Sequence, residues 1–248
     1  MKTTLKYTFL LIGLTIFSLN TSAQDERNFR IGFKITPGFN WTKAISNDVQ
    51  KDGMGIGFSF GVISDIRIAD NYFFSSELNI STMSNSMKLK SDAIYSLAIA
   101  GDSQVYNNIS YKYNLKYIEI PLTFKFRTKE INGMRYWGQF GLAPGFLIGN
   151  NATVLASPAS TGSKSYPAEE KFIPNDANNN NLDFTKHIDD INFLRASMIL
   201  GAGIEYNLSG NASFYAGIRF NNGFTDILDD KKSKMNNNVM GLELGFFF

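Results

Sequence analysis

Apolar residues recur at every second position along most of this chain, a period that belongs to strands and that no helix can present as one face. Phe29, Ile31, Phe33 and Ile35 alternate with Arg30, Gly32, Lys34 and Thr36. Met54, Ile56, Phe58, Phe60 and Val62 alternate with glycine and serine, and the pattern continues to Ile66 and Ile68 around Asp65 and Arg67. Phe74, Leu78 and Ile80 oppose Ser75, Glu77, Asn79 and Ser81. Ile118, Ile120, Leu122, Phe124 and Phe126 oppose Tyr117, Glu119, Thr123, Lys125 and Arg127. Tyr136, Phe140, Leu142, Phe146 and Ile148 oppose Gln139, Gly141, Ala143 and Gly145. Ala196 to Tyr206, Phe214 to Phe220 and Met240 to Phe248 repeat the arrangement, with Arg195, Glu205, Arg219 and Glu243 on the polar side. Eight strands are predicted.

The connections alternate too. Ala69-Asp70-Asn71, Asn132-Gly133 and Ser209-Gly210-Asn211 read as short turns, Asn-Gly being the strongest hairpin signal of the three. The polar stretch after the first strand and those at 91–110, 150–191 and 225–237 read as long loops. Short turns on one side and long loops on the other are the pattern of a transmembrane barrel with both ends on the short-turn side. The expected fold is therefore all-β: an eight-stranded antiparallel transmembrane β-barrel, an up-and-down meander with long extracellular loops. Ile63, Phe73, Trp137, Leu147, Phe193 and Ile199 break the alternation, either by packing inside or by marking changes of register.

Bulky Phe, Ile, Leu and Met occupy one face, and glycine, serine and charge the other. A soluble lipocalin-like barrel would turn the apolar face inward. Against it, the polar face mixes charges with many glycines, and Gly38 and Trp41 are one residue too far apart for the lipocalin Gly-x-Trp motif. With the apolar face on lipid, the lumen receives Arg30, Lys34, Asp65, Arg67, Glu77, Glu119, Lys125, Arg127, Arg195, Glu205, Arg219 and Glu243. An eight-stranded barrel is just wide enough for side chains to fill it. Both signs are present, so a structural network of paired charges is expected, with a narrow conducting pore as the alternative.

The first residues resemble a secretory leader. Lys2 and Lys6 precede the short apolar stretch Tyr7 to Leu19, and small residues end at Ala23. The expected organisation is a signal peptide at 1–23 and an outer-membrane barrel domain at 24–248, in the cell outer membrane. The expected partners are outer-membrane lipid and the barrel insertion machinery, for which Phe246 and Phe248 resemble a C-terminal insertion signal. A net charge of +2 implies no nucleic-acid partner, and the absence of cysteine excludes disulfides and thiol chemistry.

Catalytic signals are thin. His187 is the single histidine and sits in a polar loop, which leaves triads and zinc sites little to build on. Gly55, Gly57 and Gly61 lack the helix and the Lys-Ser/Thr of a phosphate loop. Asp176, Asn178 and Asn180 have a calcium-loop spacing without its glycine or closing Glu. No catalytic residue, metal site or cofactor is expected, and the chain reads as non-enzymatic. The segment 150–191 is long for a loop without periodicity, and such loops are usually functional or disordered. It is the expected site for any protein or glycan partner.

Tyr117-Ile118-Glu119-Ile120-Pro121-Leu122 resembles the Y-x-E-I-P-L strand of the PorT-type outer-membrane β-barrel family. The resemblance extends to Arg30–Lys34, Gly138–Gly141 and Gly201–Tyr206, and so spans the mature chain. It implies an outer-membrane location in a Gram-negative bacterium. The namesake serves protein secretion and gliding, which leaves an export or motility assembly as an alternative role. Pro121 suggests an edge or a bulge in its strand, because proline lacks the N–H that a ladder needs.

Overall fold

The computed structural model describes residues 28–45, 49–89, 95–99, 102–158, 164–167, 173–174, 191–208, 212–229 and 234–248. The expected signal peptide lies outside them. Thirteen strands run in order: β1 (Phe29–Ala44), β2 (Val49–Lys51), β3 (Gly55–Ala69), β4 (Tyr72–Leu89), β5 (Tyr95–Ile99), β6 (Asp102–Glu119), β7 (Leu122–Arg127), β8 (Met134–Pro158), β9 (Lys164–Pro167), β10 (Ile173–Pro174), β11 (Leu194–Asn207), β12 (Ser213–Gly223) and β13 (Met235–Phe247).

Eight wall strands close the barrel. β1, β3, β4, the β6–β7 pair, β8, β11, β12 and β13 are each antiparallel to the next, and β13 returns to β1 with Phe246 opposite Phe33 and Gly241 opposite Gly38. Closure removes the unpaired sheet edge, a condition for a sheet to sit in hydrocarbon. β6 and β7 form one wall strand. Pro121 interrupts it without changing register, since Glu119 faces Gly145 and Leu122 faces Leu142 in the same frame. The expected bulge at Pro121 is therefore absent. The Pro121 carbonyl still accepts from the Glu77 amide at 3.0 Å, and only the missing N–H is lost. The β6–β8 register shifts twice, both higher: between Asn107 and Ser110, and between Lys116 and Tyr117, where β8 passes from Gly149 to Leu147 and so contains the extra residue Ile148.

Asn132 and Gly133 both take positive φ, 51° and 78°, as a two-residue hairpin turn requires. The long-loop side is more ordered than its sequence suggests. Residues 102–110 continue β6 rather than forming loop, and β8 runs to Pro158, eight residues past the expected start of the long loop at Asn150. β2 pairs with β4, β5 with β6, and β9 with β8, so the sheet extends beyond the wall on this side. Polar strands read as loops here because no apolar face is demanded where a sheet leaves the membrane.

Candidate functional site

Alternate residues of the wall meet two environments. Outside, Phe39 is 61% exposed and Ile56 75%. Rings cluster at the short-turn end, where Tyr72 meets Phe126 at 5.9 Å and Phe33 meets Phe248 at 5.7 Å. At the long-loop end Trp41 stacks on Phe220 at 6.0 Å, and Phe146 meets Phe193 at 5.7 Å. Two aromatic belts around an apolar band are what a barrel needs at the two lipid–water boundaries.

Inside, the lumen is packed in layers. Nearest the short turns, Arg30 reaches Asp65 at 2.7 Å and Glu205 at 2.6 Å. Lys125 adds a 3.1 Å contact to Asp65, and Arg127 one of 3.0 Å to Glu205. These cations lie against rings: Arg30 over Phe247 at 4.1 Å, Arg127 over Phe73 at 4.4 Å, and Lys125 at 5.2 Å from Phe247. Ile63, Trp137, Tyr215 and Phe247 form the apolar floor beside them. Such stacking supplies attraction on the side of each cation that its carboxylate does not cover.

One layer up, Arg219 binds Glu77 at 2.9 Å and Glu243 at 3.3 Å, while Lys34 binds Glu77 at 2.9 Å and pairs with Glu243 as well. Gln139 donates to Glu243 at 3.0 Å, and Asn79 to Glu77 at 2.8 Å. A third unit joins Arg195 to Glu119 at 2.5 Å, and Ser81 donates to the same carboxylate. Each carboxylate in these layers is met by at least one cation, the condition under which burying charge is tolerable. Lys34, Thr36, Asn79, Ser81, Arg219 and Asn221 border a cavity of about 30 Å³, space for one or two waters.

Toward the long loops, Tyr111, Tyr113, Leu115, Tyr117, Met83 and Met87 are buried inside. The segment after β12 is held to the rim. Asn192 donates to the carbonyls of Asp226 and Leu228 at 3.0 and 3.2 Å, and Ile227 and Leu228 are 4% and 2% exposed. Polar context in the sequence hid these two apolar residues, since the stretch 225–237 reads as an ordinary loop.

The structure brings all the expected lumen charges into these networks except Arg67. Arg67 stands at the rim beside the register shift of β3 and pairs with Asp70 of the turn at 2.6 Å. Ile63, Phe73, Trp137 and Ile199, which break the alternation, face inward and are buried. Phe193 instead lies outside, 64% exposed, just before β11. Tyr215 and Phe247 are lumen residues that the sequence reading passed over. Their signal is parity alone: each sits on the polar side of its strand, and in Phe246-Phe247-Phe248 the run of rings obscures it. His187 and Asp176, Asn178 and Asn180 lie outside the described residues. Among the described residues no group of His, Cys, Asp and Glu could hold a metal ion.

Comparison with solved structures places bacterial surface barrels beside this chain. Ail, the attachment invasion locus protein of Yersinia pestis, solved with the heparin analogue sucrose octasulfate, is 13% identical with a TM-score of 0.37, over 90% of this chain and 100% of Ail. Neisserial surface protein A is 14% identical with a TM-score of 0.39, over 87% and 95% of the two chains. OprG of Pseudomonas aeruginosa is 11% identical with a TM-score of 0.41, over 88% and 95%. No curated protein matches the chain. A family profile, described as the outer membrane protein beta-barrel domain, matches residues 22–229. The closed ring, its apolar exterior and this match agree: the chain belongs to the outer membrane protein beta-barrel domain family and is an outer-membrane β-barrel protein.

Proposed function

We propose that this protein is a non-enzymatic, non-conducting barrel that anchors its extended long-loop rim at the cell surface for structural or recognition roles. The filled lumen carries this reading. Asp65, Glu77, Glu243, Lys34, Arg219 and Trp137 are each at most 5% exposed, and ions cannot pass without displacing paired charges. The rim is the other support. β8 has 25 residues, whereas a membrane crossing uses roughly 9–11, so much of β8 stands clear of the bilayer. A recognition role would fall on this extension and on the 150–191 segment, with a protein or glycan as partner.

Reconstitution in planar bilayers is the test. The protein is expected to give no unitary conductance steps, and regular steps from the purified chain would overturn the reading. Protease added to intact cells should cut within 150–191 and leave the wall strands whole; protection there would reverse the proposed orientation. The PorT-type likeness of Tyr117 to Phe126 supports a second reading, a subunit of an export or motility assembly. Crosslinking in intact cells separates the two, since an assembly subunit should yield the same partner proteins reproducibly.

A further inference from the structure

Above the apolar band, the outer face of β4, β6 and β8 changes character within two residues. Ile80 and Ile118 are cross-strand partners on the lipid side. The next outward pair is Thr82 with Lys116, then Ser84 with Asn114, then Ser86 with Lys112. Lys88 follows on β4, opposite Ser110. On the other flank Gly149 stands beside Lys116 and Asn151 beside Asn114. Parity fixes the direction of these side chains: Tyr111, Tyr113, Leu115 and Tyr117 between them are buried inside, and Lys112, Asn114 and Lys116 are exposed.

Three features make this more than a scatter of surface lysines. Lys112 and Lys116 lie four residues apart on one strand face, about 13 Å between Cα atoms at the usual rise. Their cross-strand partners Ser86, Thr82 and Gly149 are small or polar, so the cations border a shallow polar trough with the exposed Ile148 of the β8 bulge at its lower edge; a Cβ at Gly149 would touch the Lys116 stem at 3.8 Å. Ser84 donates to Asn114 Oδ1 at 2.7 Å, which orients the amide NH₂ of Asn114 outward between the lysines. At the upper end of this stretch Asp52 accepts a hydrogen bond from Ser110, the cross-strand partner of Lys88, so negative charge lies beside Lys88; Lys112 and Lys116 have no ion pair among the described residues. Two cations without a described acidic partner, Lys112 and Lys116, directly over a hydrocarbon-facing band match a ligand with anionic groups above and acyl chains below.

We propose that Lys112 and Lys116, with Asn114 between them and Lys88 beside them, seat the headgroup of a multiply phosphorylated outer-leaflet glycolipid, its acyl chains lying on Ile80, Ile118 and Phe60. This goes beyond the surface role and rests on that reading for orientation alone, since the trough borders the outer leaflet when the long-loop rim is at the cell surface. The test therefore uses vesicles, where orientation in the cell has no influence.

The full chain is reconstituted in phosphatidylcholine vesicles containing either lipid A or phosphatidylglycerol at equal phosphate, extracted mildly, and weighed by native mass spectrometry for retained lipid. Lipid A should be retained in preference to phosphatidylglycerol. Lys112→Gln with Lys116→Gln should lower that retention on the order of twentyfold, given about fivefold per lysine at an anionic surface. Lys112→Arg with Lys116→Arg should restore it. Lys43→Gln with Lys129→Gln, an equal charge loss away from the trough, should change it less than about twofold. Unheated gel mobility checks that every variant is a closed barrel. Undiminished lipid A retention by the double Gln variant would overturn the proposal, as would equal retention of phosphatidylglycerol. Displacement by an equal concentration of inorganic pyrophosphate would assign the trough to a soluble anion and overturn it too.

Discussion

Strand β11 carries two opposite chemistries on alternate residues. Toward lipid it presents Met198, Leu200, Ala202 and Ile204; toward the lumen, Arg195, Ser197, Ile199 and Glu205. The outer side is permissive, because any apolar residue of similar size meets the same fluid hydrocarbon. The inner side is conditional, because Arg195 is tolerable only with Glu119 and Glu205 only with Arg30 and Arg127. Sensitivity to substitution should therefore depend less on how apolar a residue is than on whether its neighbours are fixed.

The largest effect is expected from breaking an inner pairing. Arg219→Met leaves Glu77 and Glu243 sharing Lys34 as their remaining cation, and should cost about 3–5 kcal/mol, as removal of one partner from a buried ion pair does. Urea unfolding of the vesicle-inserted barrel, followed by tryptophan fluorescence, measures it; a cost under about 1 kcal/mol would mean that water reaches the network.

Leu200→Arg, on the lipid face near mid-strand, should cost about 2–4 kcal/mol in the same assay. Ser197 offers the counterpart inside. It is fully buried and 3.3 Å from Arg195, so Ser197→Arg has neither room nor a free carboxylate and should cost at least as much as Leu200→Arg. A polar face in the sequence suggests tolerance there; the packed lumen removes it. If Ser197→Arg proves the milder of the two, the lumen is wetter than its packing implies.

A smaller effect is expected where the wall makes room for a ring. A Cβ at Gly217 would lie 2.4 Å from Trp137 Cζ2 and 2.5 Å from the Ala202 carbonyl oxygen. Gly217→Val should destabilise by about 1–3 kcal/mol through overpacking, with a shift of the Trp137 emission. An unshifted spectrum would show that Trp137 does not fill that notch.

The smallest change in stability is expected at the chain end. Phe248 packs outside on Phe33, whereas Phe247 is buried under Arg30. Phe248→Ala should alter stability by less than about 1 kcal/mol while lowering insertion in cells, if the terminal ring acts as an assembly signal. Deleting Phe246 to Phe248 together would blur this, since it also removes Phe247 and its cation contact. Normal cellular insertion of Phe248→Ala would discount the signal.

Residue order alone determined the architecture of the wall. Period-two alternation follows from the geometry of one extended chain, so strand number, the separation of short turns from long loops, and the side on which Glu77 or Arg219 would emerge are all local facts. Pairing is not local. Arg219 reaches Glu77 across 142 residues and Gln139 reaches Glu243 across 104, contacts that exist only once the ring has closed. Nothing in Leu147-Ile148 distinguishes a bulge from a defect of alternation, and the tertiary register placed it there by matching β8 to β6. The sheet beyond the membrane was harder to read because its parity is reversed: Tyr111, Tyr113, Leu115 and Tyr117 alternate with Lys112, Asn114 and Lys116, but here the apolar side faces inward and the polar side outward, opposite to the wall from Ile118 onward. β6 by itself carries Lys112, Asn114 and Lys116; what only the tertiary structure decided is that Lys88 and Thr82 of β4 and Gly149 of β8 lie beside them.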